Sequence, residues 1–294
     1  MSKKVPSLIE RLENIAPSED KLDELYSLFN SIKSKIPLVQ INMEKDTFIT
    51  RQRICDKGKL FNYTHELSYP PIEYTSYGRA NIPGNPMFYG CVNGVDQTGI
   101  DSRIVTLKEI SDFLVDTESL GIQRVQLSVW KVLNRLCLLS LPFSNNYENP
   151  MDIIKEIQNG WKSISKEENT SKDHLDFIMH MSDEIAKETT DYFFVSNFVY
   201  YLLYLNEDTK HLDGIIYPSV PAQGAGFNVA IKPESVDKKL KFYSASLYYL
   251  VKNKEKARYD EVKHSASVEQ DGHIVFEQKT DFDEKKYEGL TFVN

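Results

Sequence analysis

The chain has 294 residues, is 41% apolar and carries a formal net charge of −8 at pH 7, which is enough apolar material for one large core with extensions or for two small domains. The acidic balance argues against nucleic acid as the main partner, because neutralising phosphates takes clustered Lys and Arg. Residues 5–15 are broken by Pro6, Glu10, Arg11 and Glu13 before a signal-type apolar stretch forms, and the most apolar run, 192–205, is shorter than the ~18 residues of a membrane span, so a soluble, cytoplasmic protein without membrane attachment is expected.

Residues 18–36 read as an amphipathic helix, with Ser18 as N-cap, Glu19 and Asp20 in the first turn, and Leu22, Leu25, Tyr26, Phe29, Ile32 and Ile36 on one stripe. From Phe48 the pattern changes to short segments rich in β-branched and aromatic residues, punctuated by Pro70, Pro71, Gly78, Pro83, Gly84 and Pro86, which predicts strand and loop. A short helix led by Thr106 is expected over 103–115. A half-buried strand is expected over 123–132, where Val125, Leu127 and Val129 alternate with Arg124, Gln126 and Ser128. Residues 136–141 continue as a buried run.

Three helices are predicted over 150–161, 173–189 and 192–205, the last apolar nearly all round and so a core helix. Residues 214–217 and 227–231 read as short strands, 240–250 alternates, and Asp271-Gly272 suggests a terminal hairpin with a type I′ turn. Strands and helices without regular βαβ alternation predict an α+β fold around a largely antiparallel sheet.

Cys55, Cys91 and Cys137 are an odd set without CxxC spacing, and the six histidines show no HExxH-like spacing, so reduced thiols and no metal site are expected. Gln223-Gly224-Ala225-Gly226-Phe227 lacks the third glycine of a dinucleotide fingerprint, which gives a hydride-transfer fold little support. The Lys-rich runs at 238–241 and 252–258 read as solvated faces. The strongest basic-pocket candidates are Arg51, Arg53 and Arg79.

The most informative stretch is 77–90, Tyr-Gly-Arg-Ala-Asn-Ile-Pro-Gly-Asn-Pro-Met-Phe-Tyr-Gly, a tight loop with two prolines around Arg79. An arginine held there presents its planar fork to a phosphate or carboxylate with little further ordering. The plainer reading is a turn whose Arg79 makes a structural salt bridge. Ser219 sits at a strand end in Tyr217-Pro218-Ser219 without a GxSxG elbow or an acid–histidine pair, so it suits hydrogen bonding better than nucleophilic attack. Trp130 belongs to the core pattern, while Tyr74 and Tyr77 precede the loop.

Residues 48–240, about two thirds of the chain, resemble the RES domain family. Its members share a strand bearing arginines, a GR-x-N-x-x-G-x-P-x-x-Y loop, a glutamate, a strand with a tryptophan, and a late YPS loop followed by Asn. The corresponding positions are Arg51 and Arg53, residues 78–89, Glu109, residues 125–130, residues 217–219, and Asn228. Two departures stand out: the polar residues 93–102 lengthen the interval before the glutamate, leaving Asp101 and Glu118 as alternative acids, and Pro221 stands where some relatives carry arginine.

The resemblance implies a fold similar to that of ADP-ribosyltransferase toxins and an NAD glycohydrolase or NAD phosphorylase activity, with NAD as substrate and no metal. It also implies an antitoxin protein that blocks the site. The implied catalytic residues are Glu109, Arg79 and Ser219, and the NAD-binding residues are Arg51, Arg53, Arg79, Tyr89 and Ser219, with Tyr89 stacking on substrate. Two other readings stay open: an ADP-ribosyltransferase acting on a protein or metabolite, and a non-catalytic nucleotide-binding module. The implied division is an N-terminal helical extension (1–45), the RES domain (46–250) and a C-terminal β-hairpin extension (251–294). The extensions are candidates for homo-oligomer contacts or antitoxin docking.

Overall fold

The computed structural model describes residues 6–32, 39–92, 102–116, 118–142, 152–164, 166, 171–186, 191–219, 226–254 and 256–293. The chain begins with α1 (Leu8–Glu13), started by a capping box in which Ser7 Oγ accepts from Glu10 N and Ser7 N donates to Glu10 Oε2. That Ser-x-x-Glu spacing satisfies two of the amide donors a helix start leaves open. The stripe expected over 18–36 forms a 3-10 turn, Glu19–Lys21, followed by α2 (Leu22–Asn30). Ser18 is extended at the turn's start, but its side chain makes no cap bond. Leu25, Leu28 and Phe29 are buried as their spacing requires; residues 33–38 lie outside the described residues.

Ten strands form one mixed sheet: β1 (Val39–Met43), β2 (Phe48–Cys55), β3 (Phe88–Val92), β4 (Gly121–Val132), β5 (Leu136–Ser140), β6 (Gly214–Pro218), β7 (Phe227–Ile231), β8 (Leu240–Lys252), β9 (Ala257–Val268) and β10 (Ile274–Gln278). Their order is β1-β5-β6-β7-β3-β2-β4-β8-β9-β10. Among the paired strands of the described residues, only β5 and β6 run parallel. A parallel pair needs a long crossover, and here it holds α5 (Asp152–Ile164), α6 (Lys172–Ala186) and α7 (Phe193–Tyr200). The fold is therefore α+β, as the sequence suggests.

The helices cover one part of the sheet. Phe29 packs edge-on against Phe198 at 5.2 Å between ring centres, and Phe177 meets Phe198 at 5.9 Å. Helix α7 is a core helix, as its apolar circumference predicts, but its continuation Tyr201–Leu205 widens into a π-helical turn closed by Asn206 N donating to Tyr201 O at 2.8 Å.

Two sequence expectations are corrected. Strand β4 is buried on both faces over most of its length, because the segment after β2 covers its polar side. Gln126 Oε1 accepts from Phe61 N at 2.9 Å and Gln126 Nε2 donates to Phe61 O at 2.7 Å, while Arg124 Nη1 donates to Asp56 O at 2.5 Å. Buried polar side chains therefore stand in for a neighbouring strand.

The β9–β10 turn is not type I′. Gly272 alone takes a positive φ (87°), Gly272 N donates to Glu269 O, and Glu269 N donates to His273 O, which is a type I turn followed by a left-handed glycine. Asp271 need not leave its ordinary backbone region in that arrangement.

Helix α1, strand β1 and helix α8 have no counterpart in the sequence expectations. Strand β1 forms one edge of the sheet. Helix α8 (Pro233–Lys239) starts with proline in its first turn, where the missing amide costs nothing. Strand β8 runs through residue 250, and β9 and β10 extend the same sheet beyond it. No helix among the described residues is long and apolar enough to cross a membrane.

Candidate functional site

A cleft of about 370 Å³ opens where the sheet splits. Strand β2 pairs with β4 along its whole length, from Phe48 to Cys55, but with β3 only at Ile49–Val92 and Thr50–Cys91. Gly90 sits at the parting point: a Cβ there would stand 2.5 Å from Ile49 Cγ2 and 3.0 Å from Thr50 O, so only glycine lets the strands approach before they diverge. Beyond it Arg51 Nη1 donates to Tyr89 O at 2.7 Å, bridging the gap that strand pairing leaves.

Burial, reinforced by the neighbouring charge of Arg53, pushes the Arg51 guanidinium down to about 10, so it stays charged at neutral pH. Its Nε is buried and makes no hydrogen bond among the described residues. A buried cation with an open donor is prepared for an anionic occupant.

The wall opposite is the loop from Gly78. Gly78 N donates to Asn81 O at 2.9 Å, and Pro83 with Gly84 (φ 78°) forms the next bend, closed by Asn85 N donating to Ile82 O. Tyr89 locks this loop from β3: its hydroxyl donates to Asn81 Oδ1 at 2.6 Å and accepts from Ala80 N at 2.9 Å, while Asn81 Nδ2 donates to Ser76 O. A Cβ on Gly78 would lie 2.5 Å from Asn81 Oδ1, so glycine is needed for the lock to close. Arg79, between these anchors, donates from Nη1 to Ile185 O of α6 at 2.8 Å and lies over the Tyr192 ring at 5.9 Å.

The acid comes from α3 (Ser102–Ile110), which is followed by the short α4 (Asp112–Val115). Two β2 side chains tether α3: Thr50 Oγ1 meets Thr106 Oγ1 at 3.0 Å, and Gln52 Nε2 donates to Arg103 O at 2.7 Å. Glu109 lies one helical turn past Thr106, hence on the same face, and lines the cleft. Ser219 Oγ donates to Glu109 Oε1 at 2.5 Å. Ser219 is fully buried at the end of β6, with its amide held by Gly226 O, so the serine fixes the carboxylate from behind. Tyr217 and Asn228 complete the floor. Burial holds the phenols of Tyr89 and Tyr217 well above their usual range, so both remain protonated donors.

Of the residues singled out from the sequence, Arg51, Arg79, Tyr89 and Glu109 line one cleft, and Ser219 joins them through Glu109. Arg53 does not line it. Its guanidinium lies 4.5 Å from the centre of the Phe61 ring and donates to Glu66 O. Glu118 is exposed in the turn after α4 and is not among the cleft residues, while Asp101 lies outside the described residues. Gln52, Asn81, Thr106, Ile110 and Tyr192 also line the cleft without having been singled out for it. The first of these carried a usable signal, as a polar residue between two arginines in a strand. Among the described residues no group of three or more His, Cys, Asp or Glu is placed to hold a metal ion. No family model, curated protein or solved structure matches the chain.

Proposed function

We propose that the chain consumes NAD by breaking the bond between the ribose and the nicotinamide nitrogen, on an ADP-ribosyltransferase-like variant of the α+β fold. The observation that carries this reading is the meeting in one cleft of a serine-held carboxylate, Glu109, with two arginines, Arg51 and Arg79, whose guanidinium groups are bonded to backbone carbonyls. Cleavage passes through an oxocarbenium-like ribosyl cation, and a fixed carboxylate beside the ribose stabilises that charge and activates the acceptor. Arg51 and Arg79 would take the diphosphate, to which a planar fork binds in bidentate fashion. Nicotinamide departs as a neutral ring, so neither a metal nor a strong general acid is required.

The acceptor is water or inorganic phosphate in this reading, and the biological role that fits is the toxin of a toxin–antitoxin pair. Incubation of the purified protein with NAD, with and without phosphate, followed by mass spectrometry, tests it. Free nicotinamide with ADP-ribose or its 1″-phosphate is expected, and Glu109→Gln should abolish both. ADP-ribosyl label on a macromolecule would shift the reading to a transferase. Intact NAD with no labelled acceptor would refute it.

A further inference from the structure

Three tyrosines line the cleft, and they differ in what their side chains can still do. The Tyr89 hydroxyl is spent on Asn81 and Ala80, which makes this side chain a structural strut for the Arg79 loop. Tyr217 is only 7% exposed, inside β6. Tyr192 is half-buried, and its hydroxyl makes no hydrogen bond among the described residues. Its backbone is fixed where α7 begins: Ser196 donates to Tyr192 O from both N (2.9 Å) and Oγ (2.6 Å). The next residue, Phe193, packs against Tyr77 at 5.5 Å. Tyr192 therefore combines a rigid base with a ring that an occupant can reach.

That ring already serves a planar, delocalised cation, since the guanidinium of Arg79 lies over it at 5.9 Å. We infer that the face of Tyr192 is the seat of the nicotinamide ring in its oxidised, cationic form, and that it makes the site selective for NAD over NADH. The inference rests on the NAD-consuming reading. An arriving diphosphate offers Arg79 charged oxygens in place of the Ile185 carbonyl, and the pyridinium then takes the guanidinium's place over the ring. A tyrosine face attracts a cation through its quadrupole but has no such attraction for the neutral dihydronicotinamide. Glu109 adds to the preference because its carboxylate also favours the cationic ring. Cleavage removes the pyridinium charge, so the product nicotinamide loses this hold and leaves readily.

The test uses the non-cleavable carbocyclic analogue of NAD, in its oxidised and reduced forms, titrated calorimetrically into the intact chain and into Tyr192→Phe and Tyr192→Leu. The wild type should bind the oxidised form roughly tenfold more tightly than the reduced one, the factor a partly desolvated cation–π contact supplies. Tyr192→Phe should keep that ratio, and Tyr192→Leu should bring it to about threefold or less, while ADP-ribose affinity, which reports a folded cleft, stays within about twofold. Should Tyr192→Leu fail to bind ADP-ribose, Tyr192→Met, also lacking an aromatic face, takes its place with the same expectation. An unchanged ratio in the variant lacking the ring, or no preference in the wild type, overturns the role of Tyr192 while leaving NAD consumption standing. A wild type that neither binds the analogues nor consumes NAD overturns both.

Discussion

Replacing Tyr89 by Phe removes one oxygen and two hydrogen bonds. Ala80 N and Asn81 Oδ1, which that oxygen joins at 2.9 and 2.6 Å, belong to residues 3% and 9% exposed, so water replaces the lost bonds poorly. Each buried group left unpaired costs about 1–3 kcal/mol, giving about 2–4 kcal/mol for the pair once some relaxation is allowed. At about 2.1 cal/mol/K of unfolding entropy per residue, a chain of 294 residues should lose about 3–7 °C in Tm. Scanning calorimetry measures that, and hydrogen exchange at the Ala80 amide reports the lock itself, whose protection should collapse while that of β4 persists. On the proposed NAD-consuming activity, the same variant should raise KM for NAD more than it lowers kcat, because the Arg79 loop loses its anchor while Glu109 is untouched. A Tm within 1 °C of wild type together with an unchanged Ala80 exchange rate would refute the account of Tyr89 as a strut.

Ser219→Ala removes the 2.5 Å bond to Glu109; a hydrogen bond to a charged group is worth about 1.5–3 kcal/mol, so kcat for NAD cleavage should fall about 10- to 100-fold with KM nearly constant, as initial rates will show. Gln126→Leu strips Phe61 of both backbone partners and should cost about 2–5 kcal/mol in urea denaturation, with an unchanged m-value. Burial pushes the thiols of Cys55 and Cys91 up to about 11 and 12, so the stability they contribute is full below the unfolded thiol's pKa, near 9, and is lost as pH rises beyond it. Each adds a slope of about 1.4 kcal/mol per pH unit. Urea midpoints should therefore fall between pH 8.5 and 10, and Cys91→Ala should flatten that fall. Arg51, pushed down to about 10, acts in the opposite direction above that pH.

The parts of the fold legible in the sequence are those with a clear period or boundary. Strands β2, β6 and β7 and helix α3 lie where alternation, short apolar runs and Thr106 suggest. Three short elements were missed: α1 and β1 are too short for a period, and α8 is signalled only by Pro233. The second buried face of β4 was unreadable because polar side chains that pair with a loop look like solvent-facing ones. In the site, Arg51 and Arg53 alternate onto the same face of β2, yet only Arg51 reaches the cleft, since Phe61 offers Arg53 an aromatic ring. Tyr192 opens an apolar run in which Phe193, Phe198 and Tyr201 are buried in the core, and only the fold shows that Tyr192 lines the cleft.

The helix that carries Glu109 is held from two sides, and one of them belongs to the end of the chain. Tethers from Thr50 and Gln52 fix the α3 backbone to β2, and Tyr259 of β9 in turn donates to Gln52 Oε1. Beneath α3 and α4, Leu107 and Phe113 pack on Val125 and Leu250, with Tyr259 and Val293 closing the cluster. Val293 arrives there because Ile122 N donates to Thr291 O and Val293 N donates to Ile122 O, each at 2.9 Å, which adds a short parallel rung beside β4. Gly121 admits that rung, since a Cβ would stand 2.7 Å from Thr291 O. The segment after residue 250 is far from α3 in sequence, yet it packs beneath the helix whose carboxylate the proposed chemistry depends on. It therefore helps to hold α3 in place, and changes in it should be felt at Glu109 before they are felt at the arginines.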